Sequence, residues 1–423
     1  MVMIRFSVLL KSATDNPIND IKNMKLSSTI LHSKSPHTLR PLVLFKYLVA
    51  LGSVVVLLTG VMACSNSNQP TLAPIEVTEE VTMQPATPTV KPTPMSTPTP
   101  VPTPSPTPIP TPTPTIFEQG EIDGITRSPF NGLAVDDESL SRRILVIKVD
   151  NHEEARPQSG IELADMMIEV WVEGITRYLA VFQASDTDFV GPIRSMRPTD
   201  FALQNSWAST FVNSGGQDWI QAIGDASTAR WFIEPPGSFR ISARPRPWNL
   251  YGDTNSLRTL DTRGTYSTPL SPLWEFGDMP SDAAVAEEIL LKYWFDYTTS
   301  WYWNEEEFHY EKSTIGQPHY YLDPNNNAHR ISADTLIMLE TLYFLTCYGC
   351  ESGSNVPVAE TVGSGTAWVF HGGKMQKGNW SRSSEREWFS LTLDDGSPML
   401  IPPGQIWMTL GRRDNVIVNQ SLD

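Results

Sequence analysis

The chain has 423 residues, and its 47 acidic side chains outnumber the 31 basic ones, which gives a formal net charge of −16. The part after Cys64 is still more acidic, with 45 acidic and 24 basic residues. Such a surface argues against nucleic acid and anionic polymers as tight partners.

Residues 1–63 are predicted to be an N-terminal extension followed by an export signal. Translation starts at Met1 or at Met24. Arg40 and Lys46 flank an uncharged apolar run, Tyr47 to Ala63, and this combination is typical of a secretory signal peptide. The sequence therefore predicts that most of the chain lies outside the cytoplasm.

The apolar run ends in VMAC at residues 61–64, which resembles a bacterial lipobox. The resemblance implies cleavage before Cys64 and a lipid, of the palmitate type, on that cysteine, so that the protein is anchored to the outer face of the cell membrane. The alternative is an N-terminal transmembrane helix, because roughly 17 apolar residues are the lower limit for a span.

Residues 64–116 are predicted to be a disordered linker rich in Pro and Thr. From Thr97 to Thr115 nearly every second residue is proline, which removes backbone donors and favours extended polyproline II. About 45 such residues at roughly 3.1 Å each reach on the order of 140 Å. This length suits a spacer across a wall layer.

Two cysteines follow the linker, Cys347 and Cys350, in a C-x-x-C spacing. In an exported protein this spacing favours a small local disulfide that closes a turn. A zinc site needs further ligands, and no second pair is near. The sequence predicts no metal and no cofactor.

Residues 117–280 are predicted to form a first domain with a mixed α/β core. Ile144 to Val149 has the pattern of a buried strand. The run from Met166 to Val172 and the run from Thr176 to Gln183 flank a turn at Gly174, which predicts a hairpin with Glu173 and Arg177 close together.

Further along this domain, Ser195 to Asn205 is predicted to be a helix, with Pro198 in its first turn. Thr210 to Asn213 is predicted to be a strand, and a helix is expected to begin at Gln217. Alternation of strands and helices is typical of a mixed α/β core.

Polar clusters follow the strands of this domain, where binding groups usually lie. The candidate ligand-binding residues are Asp150, Asn151, His152, Arg156, Gln158, Asp165, Glu169, Glu173, Arg177, Arg194, Arg197 and Ser214. The sequence in these clusters runs DNHEEARPQSG, then AD, EGITR and GPIRSMR. It resembles the DUF3048 family of YerB-like bacterial lipoproteins, except that the turn has one glycine where the family commonly has two. The resemblance implies a layered α/β sandwich and an envelope location, and it implies no activity.

Residues 281–423 are predicted to form a second, mostly antiparallel β domain. Ser281 to Trp294 has the pattern of a capped amphipathic helix. Strand-like runs follow, among them SWYWN, EFHYEK, GTAWVFHGGK and QIWMTL. The segments from Gly363 to Lys374 and from Ile401 to Trp407 resemble the C-terminal part of the same family.

Three interpretations of the polar clusters stay open. The arginines can bind carboxylates of an envelope glycan, peptide or protein. Alternatively, carboxylates such as Asp165, Glu169 and Glu173, or His152 with Asp150, can perform acid–base hydrolysis. The third possibility is a structural network that only holds the loops. An enzyme needs a carboxylate or His152 that is free of arginine partners in an open cleft, whereas a binding protein needs exposed arginines and aromatic side chains.

Overall fold

The structure, a computed structural model, describes residues 125–266, 270–294, 296–346 and 355–419. Within these ranges the strands are, in chain order, β1 (Leu145–Val149), β2 (Gln158–Ser159), β3 (Met166–Trp171), β4 (Thr176–Phe182), β5 (Thr210–Asn213), β6 (Arg230–Ile233), β7 (Ser238–Arg240), β8 (Leu250–Gly252), β9 (Ala284–Val285), β10 (Glu288–Lys292), β11 (Thr298–Asn304), β12 (His309–Thr314), β13 (Gln317–Pro318), β14 (Tyr320–Leu322), β15 (Ala328–Arg330), β16 (Ser332–Ala333), β17 (Thr335–Thr341), β18 (Tyr343–Thr346), β19 (Val356–Ala359), β20 (Gly363–His371), β21 (Lys374–Arg382), β22 (Ser390–Thr392), β23 (Ile406–Arg412) and β24 (Val416–Val418).

The α-helices of the described ranges are short. They are α1 (Asp137–Ser141), α2 (Pro198–Gln204), α3 (Asp218–Ala226) and α4 (Thr254–Arg258), and a 3-10 turn covers Glu153–Ala155. The described part is therefore mostly β, with fewer helices than a mixed α/β fold implies. The helix that was expected from Ser195 begins at Pro198, where proline fits the first helical position and the Asp200 carboxylate accepts the Arg197 amide at 2.7 Å.

One large mixed sheet passes through both predicted domains, in the order β22-β21-β20-β17-β23-β3-β4-β1-β5-β6. The junction is the parallel pair of β3 and β23, in register from Met166 opposite Ile406 to Val170 opposite Leu410. The predicted hairpin of β3 and β4 is confirmed, with Trp171 opposite Thr176. Strands from distant parts of the sequence thus share one hydrogen-bonded sheet.

Both faces of the large sheet are buried. Met166, Ile168 and Val170 pack on one face with Phe201 of α2 and Ile220 of α3. The opposite face packs against a second sheet of order β13-β12-β11-β10-β24. Since strands that are covered on both sides lose contact with water, polar side chains on them need internal partners.

The opposite face is rich in aromatic side chains. Met167 and Trp171 of β3 lie there with Trp407 of β23, Trp301 of β11 and Tyr310 of β12. All five are fully or almost fully buried. This aromatic layer lies between the two sheets and surrounds part of the candidate site.

The segment from Ser281 to Trp294 is not a helix, and that prediction is wrong. It forms β9 and β10, and β10 pairs with β11 on one side and β24 on the other. Ile289, Leu290 and Leu291 are buried by this pairing. Tertiary pairing and burial therefore override a helical sequence pattern, since helix propensity is worth well under about 1 kcal/mol per residue.

A third, small sheet has the order β15-β14-β2. Its strands β2 and β14 run parallel, with Tyr321 opposite Gln158 and Leu322 opposite Ser159. It joins the loop after β1 to the second half of the sequence, and the candidate pockets lie beside it.

Candidate functional site

The structure brings most of the predicted residues into two groups, and the first is an arginine cluster at the end of β1. It consists of Asp150, Glu173, Arg177, Arg194 and Arg197. One Asp150 oxygen lies 3.3 Å from Arg177 Nε and the other lies 3.0 Å from Arg194 Nε. Neither contact is aligned as a hydrogen bond, so Asp150 is held by charge and by the backbone amide of Asn151 at 3.0 Å.

Glu173 forms its ion pair with Arg197, while its charge also acts on Arg177, which the predicted hairpin places nearby. Two parallel contacts of 2.6 and 2.8 Å join its carboxylate to Arg197. Burial raises the pKa of Glu173, but the hydrogen bonds and charge of Arg197 outweigh it, and the pKa lies below its usual value. Bidentate pairing of this kind is strong and fixes both side chains.

Arg177 is buried, and it donates to the carbonyl oxygen of Ser195 at 3.1 Å. Burial, with the nearby positive charge of Arg197, lowers its pKa to about 10. The arginine cluster thus holds the segment that leads into α2. The carboxylates of the cluster are paired with arginines, and Arg177 at its centre has little contact with solvent.

The second group is a buried polar network between the large sheet and the second sheet. Its members come from seven different elements or loops: Asn151, Gln158, Glu169, Thr176, Tyr297, Lys312 and His319. Asn151 donates to Thr176 Oγ1 at 2.8 Å and to the Tyr297 hydroxyl at 3.0 Å, while its own side-chain oxygen accepts from Gln158 at 3.2 Å. The network connects the loop after β1 with residues about 150 positions later.

The centre of the network is an ion pair between Glu169 and Lys312, joined at 2.6 Å and fully buried on both sides. Glu169 also accepts from the Thr176 hydroxyl at 2.7 Å and from the Trp407 indole at 2.9 Å. The Lys312 ammonium lies 4.7 Å from the ring centre of Trp301. Burial lowers the pKa of Lys312, and Glu169 opposes that effect.

His319 and Gln158 form the outer part of the network. His319 Nε2 lies 3.0 Å from Gln158 Oε1, and its Nδ1 lies 2.8 Å from Thr314 Oγ1. Burial, followed by the charges of Arg156 and Lys312, holds the pKa of His319 well below its usual value. The imidazole is therefore neutral at physiological pH.

Arg156 lies where the network meets solvent. Its guanidinium donates to the side-chain oxygen of Asn151 at 3.0 Å, to the Asn151 carbonyl at 2.9 Å and to the Tyr297 hydroxyl at 3.3 Å. No ion pair of the described residues includes it. It borders a pocket of about 270 Å³ that is also lined by Pro157, Pro318, His319, Tyr320 and Ala328. We call this the Arg156 pocket.

Three predicted residues lie apart from both groups. His152 stacks on Trp248 with ring centres 5.1 Å apart, and its Nδ1 accepts the Glu154 amide. Asp165 accepts the backbone amides of Gln183, Ala184 and Ser185. The amide of Ser214 donates to the Arg194 carbonyl at 3.1 Å. Each of these contacts holds a loop in place.

The sequence patterns did not indicate Lys148, Lys312 or Tyr297 as members of a site, and they gave little weight to a role for His319. Lys148 is fully buried in β1 and pairs with Asp200 of α2 at 2.6 Å. A single lysine inside an otherwise apolar strand was the available signal for Lys148, because a buried charge needs a partner. Tyr297 and Lys312 carry no comparable signal in the sequence.

In the part of the chain that the structure describes, no helix is long and apolar enough to cross a membrane. No group of three or more His, Cys, Asp or Glu side chains within those same ranges is arranged to hold a metal ion. The predicted lipid site at Cys64, the linker, and the predicted disulfide of Cys347 and Cys350 lie outside the described residues.

In the described residues the chain is thus a mostly β protein with a charged, buried polar network in its core. The chain belongs to the DUF3048 family, which confirms the resemblance seen in the sequence. Residues 130–267 match the family's description "Protein of unknown function (DUF3048) N-terminal domain", and residues 289–408 match its C-terminal domain.

Two comparisons with individual proteins agree. The chain is 32% identical over 154 residues to a Bacillus subtilis (strain 168) protein named "Putative lipoprotein YerB", and the match covers 31% of this chain and 46% of that relative. The chain thus spans about half the length of the curated relative. The crystal structure of YerB from Bacillus subtilis is similar with a TM-score of 0.60 and 21% identity, over 70% of this chain and 99% of that one. This structural likeness shows a shared fold.

Proposed function

We propose that this protein is a lipid-anchored envelope protein that binds a carboxylate-bearing component of the cell wall in the Arg156 pocket. The anchor is supported by the lipobox-like residues before Cys64 and by the name of the Bacillus subtilis relative. The Pro/Thr-rich segment would carry the binding body away from the membrane.

The observation that carries the proposal is the bonding of Arg156. Three neutral oxygens orient its guanidinium, and no carboxylate of the described residues neutralises it. The neighbouring Glu169 is already matched by Lys312. A fixed, partly exposed guanidinium without a counter-ion favours a carboxylate ligand, since the planar fork binds two oxygens at once.

The hydrolase alternative has less support. General acid–base catalysis needs a titratable group that can reach the substrate. Asp150, Asp165 and Glu169 are buried and engaged, and Glu173 is held by Arg197. The structure offers a better argument for binding than for bond cleavage.

The test measures thermal unfolding and titration calorimetry of the full-length protein with muropeptides, stem peptides and glycan chains. A ligand at 100 times its Kd adds about 2.7 kcal/mol to the free energy of unfolding. Arg156→Gln should weaken binding by about ten-fold or more, because a hydrogen bond to a charged group is worth about 1.5–3 kcal/mol. Arg156→Lys should recover only part of the affinity, since an ammonium lacks the planar fork.

Arg386→Gln is the matched control. Arg386 is exposed, and its substitution removes the same charge from another part of the surface. Mass spectrometry of the same mixtures detects cleavage. Equal binding by Arg156→Gln and Arg386→Gln would overturn the proposed site. Cleaved fragments would instead establish the hydrolase.

A further inference from the structure

A second and larger cleft lies next to the Arg156 pocket. Its volume is about 560 Å³, which is within the range of small-ligand sites. We call it the aromatic cleft, and its lining includes Asp188, Phe189, Phe239, Arg244, Tyr251 and Asp323.

Aromatic rings form one wall of this cleft. Phe189 stacks on Tyr251 with ring centres 4.3 Å apart and planes 9° apart. Phe239 lies 6.0 Å from Phe189, opposite Tyr251 in the hairpin of β7 and β8, and 39% of it is exposed. An exposed phenyl ring on a hairpin is a platform on which the apolar face of a sugar ring can stack.

Hydrogen-bond acceptors lie beside this platform. Asp188 precedes Phe189 in the chain, is exposed, and has no hydrogen-bond or ion-pair partner among the described residues. Asp323 also faces the cleft, and backbone and side-chain donors of Asn327 help to lower its pKa to about 2. Ionised carboxylates accept hydrogen bonds only. These acceptors in the cleft suit hydroxyl or amide donors of a ligand.

The two pockets open on the same face of the small sheet. Side chains two residues apart on a strand point to the same side, about 6.6 Å apart. Tyr320 borders the Arg156 pocket and Leu322 borders the aromatic cleft. On the neighbouring chain segment, Pro157, just before β2, borders the first, and Ser159 of β2 borders the second. Tyr321, between them, lines a different pocket.

Arg244 connects the aromatic cleft to the loop that carries Arg156. It lines the aromatic cleft and donates to the carbonyl oxygens of Ala155 and Pro157, each at 2.7 Å. These residues flank Arg156. The hairpin that carries the aromatic platform is thus linked through Arg244 to the loop that carries the binding guanidinium.

We propose that the Arg156 pocket and the aromatic cleft are adjacent subsites of one groove that binds a short glycan, with a carboxylated sugar at Arg156 and a neutral sugar on Phe239. This inference rests on the proposed function and adds the ligand class and the second subsite. The acidic surface of the protein, with a net charge of −16, favours a ligand with one carboxylate over a polyanionic chain.

The experiment is calorimetric titration of the full-length protein with three probes. The first is the disaccharide of N-acetylglucosamine and N-acetylmuramic acid, whose lactyl group carries one carboxylate. Chitobiose is the uncharged disaccharide, and a stem peptide without sugar is the third. The variants are Arg156→Gln and Phe239→Ala, with Phe344→Ala as the control because Phe344 has the same exposed fraction of 39%.

The muramyl disaccharide should lose about ten-fold or more of its affinity in Arg156→Gln, as a lost charged hydrogen bond requires, and about five-fold in Phe239→Ala, as the loss of ring stacking requires. Chitobiose should bind more weakly than the muramyl disaccharide. Its affinity should fall in Phe239→Ala and should not change in Arg156→Gln. Phe344→Ala should bind both sugars as the unaltered protein does.

Three outcomes would overturn the inference, and they treat the proposed function differently. Binding of the disaccharide that depends on Arg156 and not on Phe239 removes the sugar subsite and leaves the Arg156 site in place. Binding of the stem peptide in preference to both sugars makes the groove a peptide site. If none of the probes binds, the inference and the proposed wall ligand fall together.

Discussion

The ion pair of Glu169 and Lys312 gives the sharpest test of how the core is held together. Lys312→Met removes the ammonium and leaves a carboxylate in a site where both side chains are fully buried. Breaking such a pair typically costs about 3–5 kcal/mol. Since Glu169 keeps two donors, the Thr176 hydroxyl and the Trp407 indole, we expect a loss of about 3 kcal/mol in the free energy of unfolding.

The double variant Glu169→Gln/Lys312→Met separates pairing from packing. It removes both charges and leaves side chains of similar volume, and such replacements are often neutral or stabilising. We therefore expect the double variant to be more stable than Lys312→Met. Urea unfolding measures this through the shift in midpoint at constant slope.

An exposed lysine provides the control for this substitution. Lys377 lies 4.4 Å from the ring centre of Trp368 but is exposed, so Lys377→Met should change stability by less than about 1 kcal/mol. A cost below about 1 kcal/mol for Lys312→Met, or additive effects of the two core substitutions, would refute the assignment of a coupled buried pair.

Two further predictions concern the loops and the outer network. Because burial and neighbouring cations depress the pKa of His319, the unfolded chain binds more protons than the folded chain below the ordinary value of 6.5. Stability should therefore fall as pH is lowered from 6.5, by up to about 1.4 kcal/mol per pH unit. His319→Gln should flatten this pH dependence, whereas His329→Gln, at an exposed residue, should not. Equal pH profiles for the two variants would contradict this prediction. Gly160 and Gly174 both have positive φ, 73° and 77°. A Cβ at Gly160 would collide with the Phe189 carbonyl, whereas nothing lies within 4 Å of a Cβ at Gly174. In urea unfolding, Gly174→Ala should therefore lower the free energy of unfolding by about 1–2 kcal/mol, and Gly160→Ala should lower it distinctly more.

Local sequence patterns predicted many elements well. Alternating or continuous apolar runs identified β1, β3, β4 and most strands of the second half, because residues on a pleated strand have a fixed period. They failed at residues 281–294, where the pattern predicted an amphipathic helix and the chain forms β9 and β10. The pairing of β10 with two neighbours decides that case.

The candidate site, too, could be predicted only in part from local sequence patterns. The polar clusters at the strand ends are evident from the sequence, and Arg156, Arg177 and Arg194 look equivalent there. Their environments differ: Arg177 is buried beside Asp150, whereas Arg156 is held by neutral oxygens at the surface. Which arginine keeps an unmatched charge depends on distances that no sequence spacing contains.

By itself, the sequence determined the family, the acidic character and the positions of the polar clusters, because these depend on composition and on patterns within a few dozen residues; the export-type N-terminus stays a prediction. Only the tertiary structure decided the pairing of Glu169 with Lys312, which lie 143 residues apart, and the placement of the aromatic cleft beside Arg156. The physical reason is that charge pairing and burial follow from which strands become neighbours. β3 meets β23 only when the large sheet forms, and it meets β12 only when the second sheet packs on the large one.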